Sequence, residues 1–497
     1  LMKMKNKVTL VNMISSLALQ ICTIISGFII PKIILSYFGS DTNGLISSLN
    51  QFLSYISLLE GGVTGVVAAN LYKPLVNGDN QKLSAVVVTS KKFFNKVGAI
   101  FVAYTFCLAI VYPLVFEMDF WYVFFLTVIL SMNLLVQYMF SITLRTLLNA
   151  DKKLYIVSFT QIISTILNTI LAYVSVKIYP SIHLLKLISG LLFFAQPVIY
   201  GRYVRKYYSI DWSAEADNQL LKERWNGFAI NLAAFIHNST DISILTFFTN
   251  LATVSIYNIY SLVAVGLKSL VQALTSGISA TIGHAYARED WNELNQKMDL
   301  YEYIVFLLVS FLFTVGALLI TPFVMLYTSG IYDADYNQPL FGILLLISEA
   351  LYIVKYPHLN LSYDANKFKE ITKPAFVEAL INIVVSVALV GKLGLVGIAI
   401  GTTLAMIYRM GFHVYFTSTI VKNRPQKIFY KKLALFASVS VFGVFLCHKI
   451  FPISSYTIRQ WLIHAIDYSI ILGLLYLVIS LLFFKKELLF FKSYLKK

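Results

Sequence analysis

Eight ionisable residues fall within apolar stretches of this 497-residue chain: Lys32, Lys268, Lys355 and Arg409, and Glu60, Asp241, Glu349 and Glu378. Charged groups at membrane depth are costly and are expected to face a partner, a bundle interior or a wet cavity. The four cations suit an anionic ligand such as a pyrophosphate, to which charge-assisted hydrogen bonds would be strong. The acids suit cation or proton coupling. A structural ion pair is the competing reading for each. Lys268 lies about fifteen residues from either end of its hydrophobic run, too deep to snorkel. Arg409 is also deep, whereas Lys32 and Lys355 are nearer their ends, where snorkelling competes with function.

The elements that must position these groups are helices crossing a bilayer. The sequence divides into fourteen hydrophobic runs near 10–38, 42–70, 93–116, 120–147, 154–178, 182–201, 226–249, 253–283, 303–327, 338–362, 375–391, 395–420, 431–451 and 460–484. Most exceed the roughly 20 apolar residues a helix needs to span the hydrocarbon core. With this division, 31 of the 40 Lys and Arg residues fall on one side. Lys and Arg accumulate on the cytoplasmic face, so both termini are expected there, in a multi-pass membrane protein. The net charge of +16 then reads as topology facing anionic lipid, and nucleic acid is not an expected partner. Cys22, Cys107 and Cys447 show no metal-ligand spacing. No linker is long enough for a separate soluble domain, so function must reside within the helices or at their mouths.

Polar residues recur at helical spacing on four of the runs, placing them on single faces. The first run carries Asn12, Ser16, Gln20, Thr23 and Gly27, and the second Asn43, Ser47, Asn50, Ser54, Ser57, Gly61 and Gly65. The seventh carries Asn231, Ala234, Asn238 and Asp241, and the eighth Ser261, Lys268, Gln272, Thr275 and Ser279. Such faces either pack helix on helix or line a water-filled cavity. An offset of 214 residues aligns Asn12 with Asn226, Ser47 with Ser261 and Tyr72 with Tyr286. The hydropathy therefore reads as two parallel six-helix repeats, 1–206 and 207–424, followed by two additional helices in 425–497. Parallel repeats suit transporters whose halves rock about a shared site.

The segment Glu378 to Arg409, EALINIVVSVALVGKLGLVGIAIGTTLAMIYR, with Gly391, Gly394, Gly397, Gly401 and Thr402 at its centre, resembles the eleventh and twelfth helices of one membrane-protein family. That family is the polysaccharide-export branch of the multidrug/oligosaccharidyl-lipid/polysaccharide (MOP) superfamily, which includes Wzx-type and teichoic-acid flippases. His237 to Asp241 and Leu71 to Leu75 are similar to it as well. The resemblance implies an all-α polytopic fold of about fourteen helices, with two bundles in a V plus a C-terminal pair. Helices one, two, seven and eight would line a central cavity.

The function it implies is movement of a polyprenyl-pyrophosphate-linked oligosaccharide (a capsule, O-antigen or teichoic-acid unit on an undecaprenyl-type carrier) from the inner to the outer leaflet. Lys32, Glu60, Asn231, Asn238, Lys268, Gln272, Lys355 and Arg409 are the expected substrate-binding residues. Asp241, Glu378, Asn382 and Thr402 are the expected coupling-ion residues, with sodium at Asp241, Asn382 and Thr402, whose oxygens suit a hard cation; a proton is the alternative. Glu378 shares a face with Asn382 but lies a turn nearer the cytoplasm. No other cofactor is expected. Membrane lipids and other polysaccharide-assembly proteins are the remaining expected partners. Two rivals stand against this reading: a cation-coupled drug antiporter, which would favour an acidic cavity, and a membrane glycosyltransferase or polymerase. The second lacks a catalytic loop, since Glu117/Asp119 and Asp333/Asp335 are the only outer acidic pairs and their loops are short. No nucleotide-binding glycine loop, zinc spacing or catalytic triad is present, so no enzymatic activity is expected.

Overall fold

Long apolar runs broken by glycine, proline and short polar segments fold here into helices throughout. The computed structural model describes residues 2–495 except 218, 221–224, 280–281 and 453–456, and leaves aside the side chains at 2–7, 9, 225–231, 233–234, 237–238, 276–279, 284 and 491–495. Twelve stretches among the described residues are long and apolar enough to cross a membrane. One of them, Leu10–Leu59, contains the first sequence run and the start of the second, divided where Gly39 takes φ 82°, ψ 178° inside the Met2–Ser54 helix. The seventh run is the Trp225–Phe248 helix. The chain is an all-helical polytopic membrane protein.

The chain divides into two compact units, Leu1–Phe235 and Ile236–Lys497. In the first, the opening helix packs along Leu154–Ile178, and Asn80–Val115 packs on Phe120–Val136. The second run is not one continuous helix. After Ser54 it tightens into a 3-10 turn, Tyr55–Leu59, and passes through Gly61 (φ 52°) and Gly62 (φ 82°) before restarting as Val63–Asn77. Such an interruption leaves backbone groups that a bilayer cannot satisfy. The Tyr104 hydroxyl donates to the Phe52 carbonyl at 2.7 Å, and that of Tyr112 to Ser48 Oγ at 2.8 Å. A second irregularity is the wide π-type turn Gln137–Ser141, where the Ile142 amide reaches back to the Gln137 carbonyl.

In the second unit, Phe368–Leu393 and Leu395–Ile420 form the most intimate helix pair. Gly394 makes the turn between them at φ 54°, ψ −128°, a conformation that side chains disfavour. A Cβ on Gly397 would lie 2.7 Å from the Leu389 carbonyl carbon, and one on Gly401 2.9 Å from the Ser386 amide nitrogen. These two glycines let the backbones touch. Gly391 faces open space.

The last two long helices, Lys427–Ile450 and Ile458–Phe483, both pack on Trp291–Tyr327. Phe436 stacks on Phe306 with centroids 5.6 Å apart and on Phe484 at 5.4 Å. Burial of apolar surface drives little between helices already in lipid, so polar contacts must add to this packing. Glu302, 1% exposed, receives Arg424 at 2.6 Å and Lys432 at 2.9 Å. His358 Nε2 lies 3.1 Å from the same carboxylate. Asp299 receives both cations as well, at 3.2 and 3.0 Å. Burial works against the Arg424 charge, but Glu302 and Asp299 outweigh it and hold the guanidinium above its usual value. This network clamps the C-terminal pair onto the unit.

Candidate functional site

The glycine-tightened hairpin places three polar side chains against a fourth from the seventh run. Asp241 lies on Trp225–Phe248, Asn382 and Ser386 lie one turn apart on Phe368–Leu393, and Thr402 follows Gly401 on the return helix. All are buried. Thr402 Oγ1 donates to Asp241 Oδ2 at 3.0 Å, and Tyr257 donates to the same oxygen at 2.9 Å. Asn382 Nδ2 donates to Asp241 Oδ1 at 3.3 Å and to Thr402 Oγ1 at 3.4 Å. Ser386 Oγ closes the set by donating to Asn382 Oδ1 at 2.9 Å.

The donor chemistry fits a hard cation. One carboxylate, one hydroxyl, one phenol and one carboxamide converge without a sulfur or imidazole among them. The carboxamide now turns its NH2 toward Asp241. A half-turn about its last torsion would present Oδ1 instead, and Ser386, whose hydroxyl can accept as well as donate, would take the displaced Nδ2.

Glu378 is not part of this group. Its carboxylate pairs with Arg409 Nε at 3.4 Å, and Arg409 also donates to His413 Nε2 at 2.9 Å. The helical step that separates Glu378 from Asn382 carries it to a different neighbour.

The other embedded charges of this unit form a second cluster. Lys268 lies 2.9 Å from Glu349, with side chains 12% and 17% exposed. Its ammonium is also 4.9 Å from the Tyr352 ring centre. Lys355 stands 4.0 Å from the centre of the same ring and 3.7 Å from Met406 Sδ. Lys355 is only 3% exposed, and among the described residues no carboxylate lies within ion-pair distance of it. Gln272 donates to the Tyr356 hydroxyl. Three cations (Lys268, Lys355 and Arg409) thus meet two acids (Glu349 and Glu378), leaving one positive charge in surplus. The sequence treated the cations as a set facing a ligand; the structure pairs two of them with acids.

In the first unit, Lys32 is half-buried on the opening helix. Glu60 sits at the helix interruption and accepts from the Thr64 hydroxyl. The polar face of the first run is shared between two tasks. Asn12 donates to the Lys152 carbonyl at 2.8 Å and accepts from the Tyr155 amide at 2.9 Å, and Ser26 and Thr169 hydroxyls are 2.7 Å apart. These residues lock the opening helix to Leu154–Ile178. Gln20 and Thr23 stay exposed, and a side chain at Gly27 would meet nothing. The side chains of Asn231 and Asn238 lie outside the described residues.

Sequence reasoning missed Tyr257, Ser386 and Tyr352 as members of these clusters, and the Glu302 clamp altogether. Glu349, Tyr352, Lys355 and Tyr356 are three, three and one residues apart. That spacing, legible in the sequence, puts Glu349 and Tyr352 on one helix face just before the break at Lys355 that separates Pro339–Val354 from Tyr356–Asp364. Glu302 fell at the edge of its hydrophobic run and read as a boundary charge.

No protein-family model matches the chain, and no curated protein matches it. Solved structures do. The lipid II flippase MurJ in an inward closed conformation is similar over 95% of this chain and 99% of its own, at 15% identity and a TM-score of 0.72. An inward-facing multidrug resistance MATE family transporter of the MOP superfamily matches over 83% of this chain and 100% of its own, at 13% identity and a TM-score of 0.62. The MATE multidrug transporter DinF-BH matches over 84% of this chain and 95% of its own, at 14% identity and a TM-score of 0.59. The hydrophobic runs and the glycine-tightened hairpin therefore belong to the fold that these solved structures share.

Proposed function

We propose that this protein is a flippase that moves a polyprenyl-pyrophosphate-linked oligosaccharide from the inner to the outer leaflet by alternating access. The observation that carries the reading is the surplus positive charge of the Lys268, Lys355 and Arg409 cluster, above all the Lys355 ammonium buried at 3% exposure against a ring face and a thioether. An unneutralised cation at membrane depth is costly to keep, and an anionic headgroup would neutralise it. The Tyr352 and Tyr356 rings and the Gln272 amide beside it suit sugar faces and hydroxyls. A drug antiporter handling cations would gain nothing from that surplus.

The C-terminal helices support the same choice. The similar lipid II flippase takes in a larger share of this chain than the similar MATE transporters do, and the excess is about the length of that pair. Asp241, Asn382, Thr402 and Tyr257 would hold sodium as the coupling ion, which supplies the differential binding energy that net transport requires. Ser386 holds the Asn382 amide in either orientation. Capsule, O-antigen and teichoic-acid precursors all have the required headgroup chemistry.

The test is to delete the gene and identify which lipid-linked saccharide accumulates on the inner leaflet, then to reconstitute the purified protein with that lipid. Accumulation in the deletion strain and protein-dependent flipping in vesicles are the expected results. No accumulating precursor, together with efflux of cationic drugs by the same vesicles, would replace the reading with the antiporter.

A further inference from the structure

A cavity of about 230 Å³ opens inside the first unit, between the opening helix, the Phe120–Ala150 stretch, Leu154–Ile178 and the helices that end at Tyr207. Four carboxamides line it: Asn133, Gln137, Gln161 and Gln196. Arg145 stands at its exposed edge, and Tyr200 forms a wholly buried part of its wall. The Tyr200 hydroxyl is buried without a hydrogen-bond partner. The four carboxamides and the Arg145 guanidinium likewise make no hydrogen bond or ion pair within the described chain. Asn133 and Arg145 are exposed to the cavity and the three glutamines are part-buried, so their polar groups are open to a ligand, while the buried Tyr200 hydroxyl is costly to leave unpartnered.

The local backbone explains how they converge. Asn133, Gln137, Ser141 and Arg145 follow one another at intervals of four. In a regular helix each such step drifts by about 40° around the axis, given about 3.6 residues per turn. The wide turn at Gln137–Ser141 advances less per residue and cancels part of that drift, so all four reach one cavity. Single wide turns of this kind recur at functional sites.

The lining specifies its ligand. Carboxamides offer both donors and acceptors, which matches hydroxyl groups, themselves both. A guanidinium pairs with an anionic oxygen pair, commonly a phosphate. No carboxylate lines the cavity, so nothing there favours a cation. Its volume falls below the roughly 300–1,000 Å³ of drug-sized sites and suits one ring. We infer that this cavity binds a single polyol esterified to one phosphate, with the phosphate on Arg145 and the hydroxyls on the carboxamides and Tyr200. Two sources share that chemistry: the sugar phosphate at the root of a lipid-linked saccharide, and the glycerol phosphate of an anionic phospholipid. The inference concerns binding alone, so it stands or falls separately from transport.

The experiment uses full-length protein in phosphatidylcholine nanodiscs, titrated calorimetrically with glucose 1-phosphate, glucose and inorganic phosphate. A parallel set of nanodiscs contains phosphatidylglycerol, whose retention is read by native mass spectrometry. Glucose 1-phosphate should bind saturably and more tightly than glucose or phosphate. Arg145→Gln should weaken it by about tenfold or more, as expected for loss of a charge-assisted pair, while leaving glucose unchanged. Gln161→Ala/Gln196→Ala should weaken both sugars. Tyr200→Phe keeps the ring and its packing, so weaker binding in that variant cannot be blamed on misfolding. Phosphatidylglycerol that competes with glucose 1-phosphate, or is retained selectively and lost in Arg145→Gln, identifies the lipid source; absence of competition identifies the sugar phosphate. Phosphate alone binding as tightly as glucose 1-phosphate would overturn the polyol assignment. Failure of both the soluble ligands and phosphatidylglycerol to bind, or binding indifferent to all three variants, would overturn the site.

Discussion

Thr402 Oγ1 donates to Asp241 Oδ2 across 3.0 Å, joining two helices far apart in sequence. Both groups are buried, and both present oxygen to the same point. Sodium should therefore raise the thermal midpoint of the purified protein where potassium does not, because an ion that binds only the folded state stabilises it. Asp241→Asn and Thr402→Val should each abolish the sodium-specific shift. A shift that survives in both variants would place the ion elsewhere.

Gly401 is the geometric condition for that group. A methyl there would approach the Ser386 amide nitrogen to 2.9 Å and the Asn382 carbonyl oxygen to 3.1 Å, and the helices would have to part. Gly401→Ala should cost about 1–3 kcal/mol, as overpacking does, and should weaken the sodium response as well. Gly391→Ala, at a position facing open space, serves as the control and should change neither quantity.

Lys268 and Glu349 form a pair 2.9 Å apart, so Lys268→Ala alone would mix lost function with a stranded acid. The informative variant is Lys268→Gln/Glu349→Gln, which neutralises both partners. Its thermal midpoint should stay near that of the parent, because an ion pair and its neutral isostere are often close in stability. Flipping should still fall by about tenfold or more if the cation serves the headgroup rather than Glu349. Normal flipping by the double variant would reduce the pair to a structural one.

Lys355 makes the opposite kind of prediction. Lys355→Met should leave the protein as stable as the parent or more so, since it removes a buried charge that has no acid within ion-pair distance among the described residues. Transport of an anionic headgroup should drop in the same variant. Stability gained while activity is lost is the signature of a residue kept for function. A loss of stability would mean that Lys355 is structurally compensated.

The Glu302 clamp is testable through assembly. Glu302→Gln leaves Arg424 and Lys432 facing a neutral amide, with the part-exposed Asp299 as their remaining carboxylate. The loss should be about 2–3 kcal/mol, less than the roughly 3–5 kcal/mol of a buried pair broken from one side with no counter-charge left. Limited proteolysis should then cut the Val421–Gln426 connection faster than in the parent protein. Unchanged cleavage and an unchanged midpoint would show that aromatic packing alone seats the C-terminal helices.

The helices were legible in the sequence because hydrophobic length is a strong signal: the runs at 154–178 and 395–420 coincide with Leu154–Ile178 and Leu395–Ile420. The division of the second run at Tyr55–Gly62 was not, because an apolar stretch keeps its hydropathy whether or not its hydrogen bonds continue. The sequence grouped Asp241, Asn382 and Thr402 through resemblance, and the structure shows the hydrogen bonds among them. It did not show that Arg409 would turn to Glu378, since pairing across helices depends on depth and rotation that a one-dimensional pattern does not contain. Asn12 illustrates the same limit. It has the spacing of a cavity residue and the contacts of a helix lock.

The clamp on Glu302 also has a bearing on ancestry. Arg424 and Lys432 belong to the connection and helix that begin the C-terminal pair, while their shared acid belongs to the bundle beneath. A lineage that shed this pair would lose Lys432 and leave the Glu302 carboxylate to Arg424 and His358. Relatives of shorter length should therefore keep Glu302 only where they also keep a basic residue at the position of Arg424, and the two should have been inherited together.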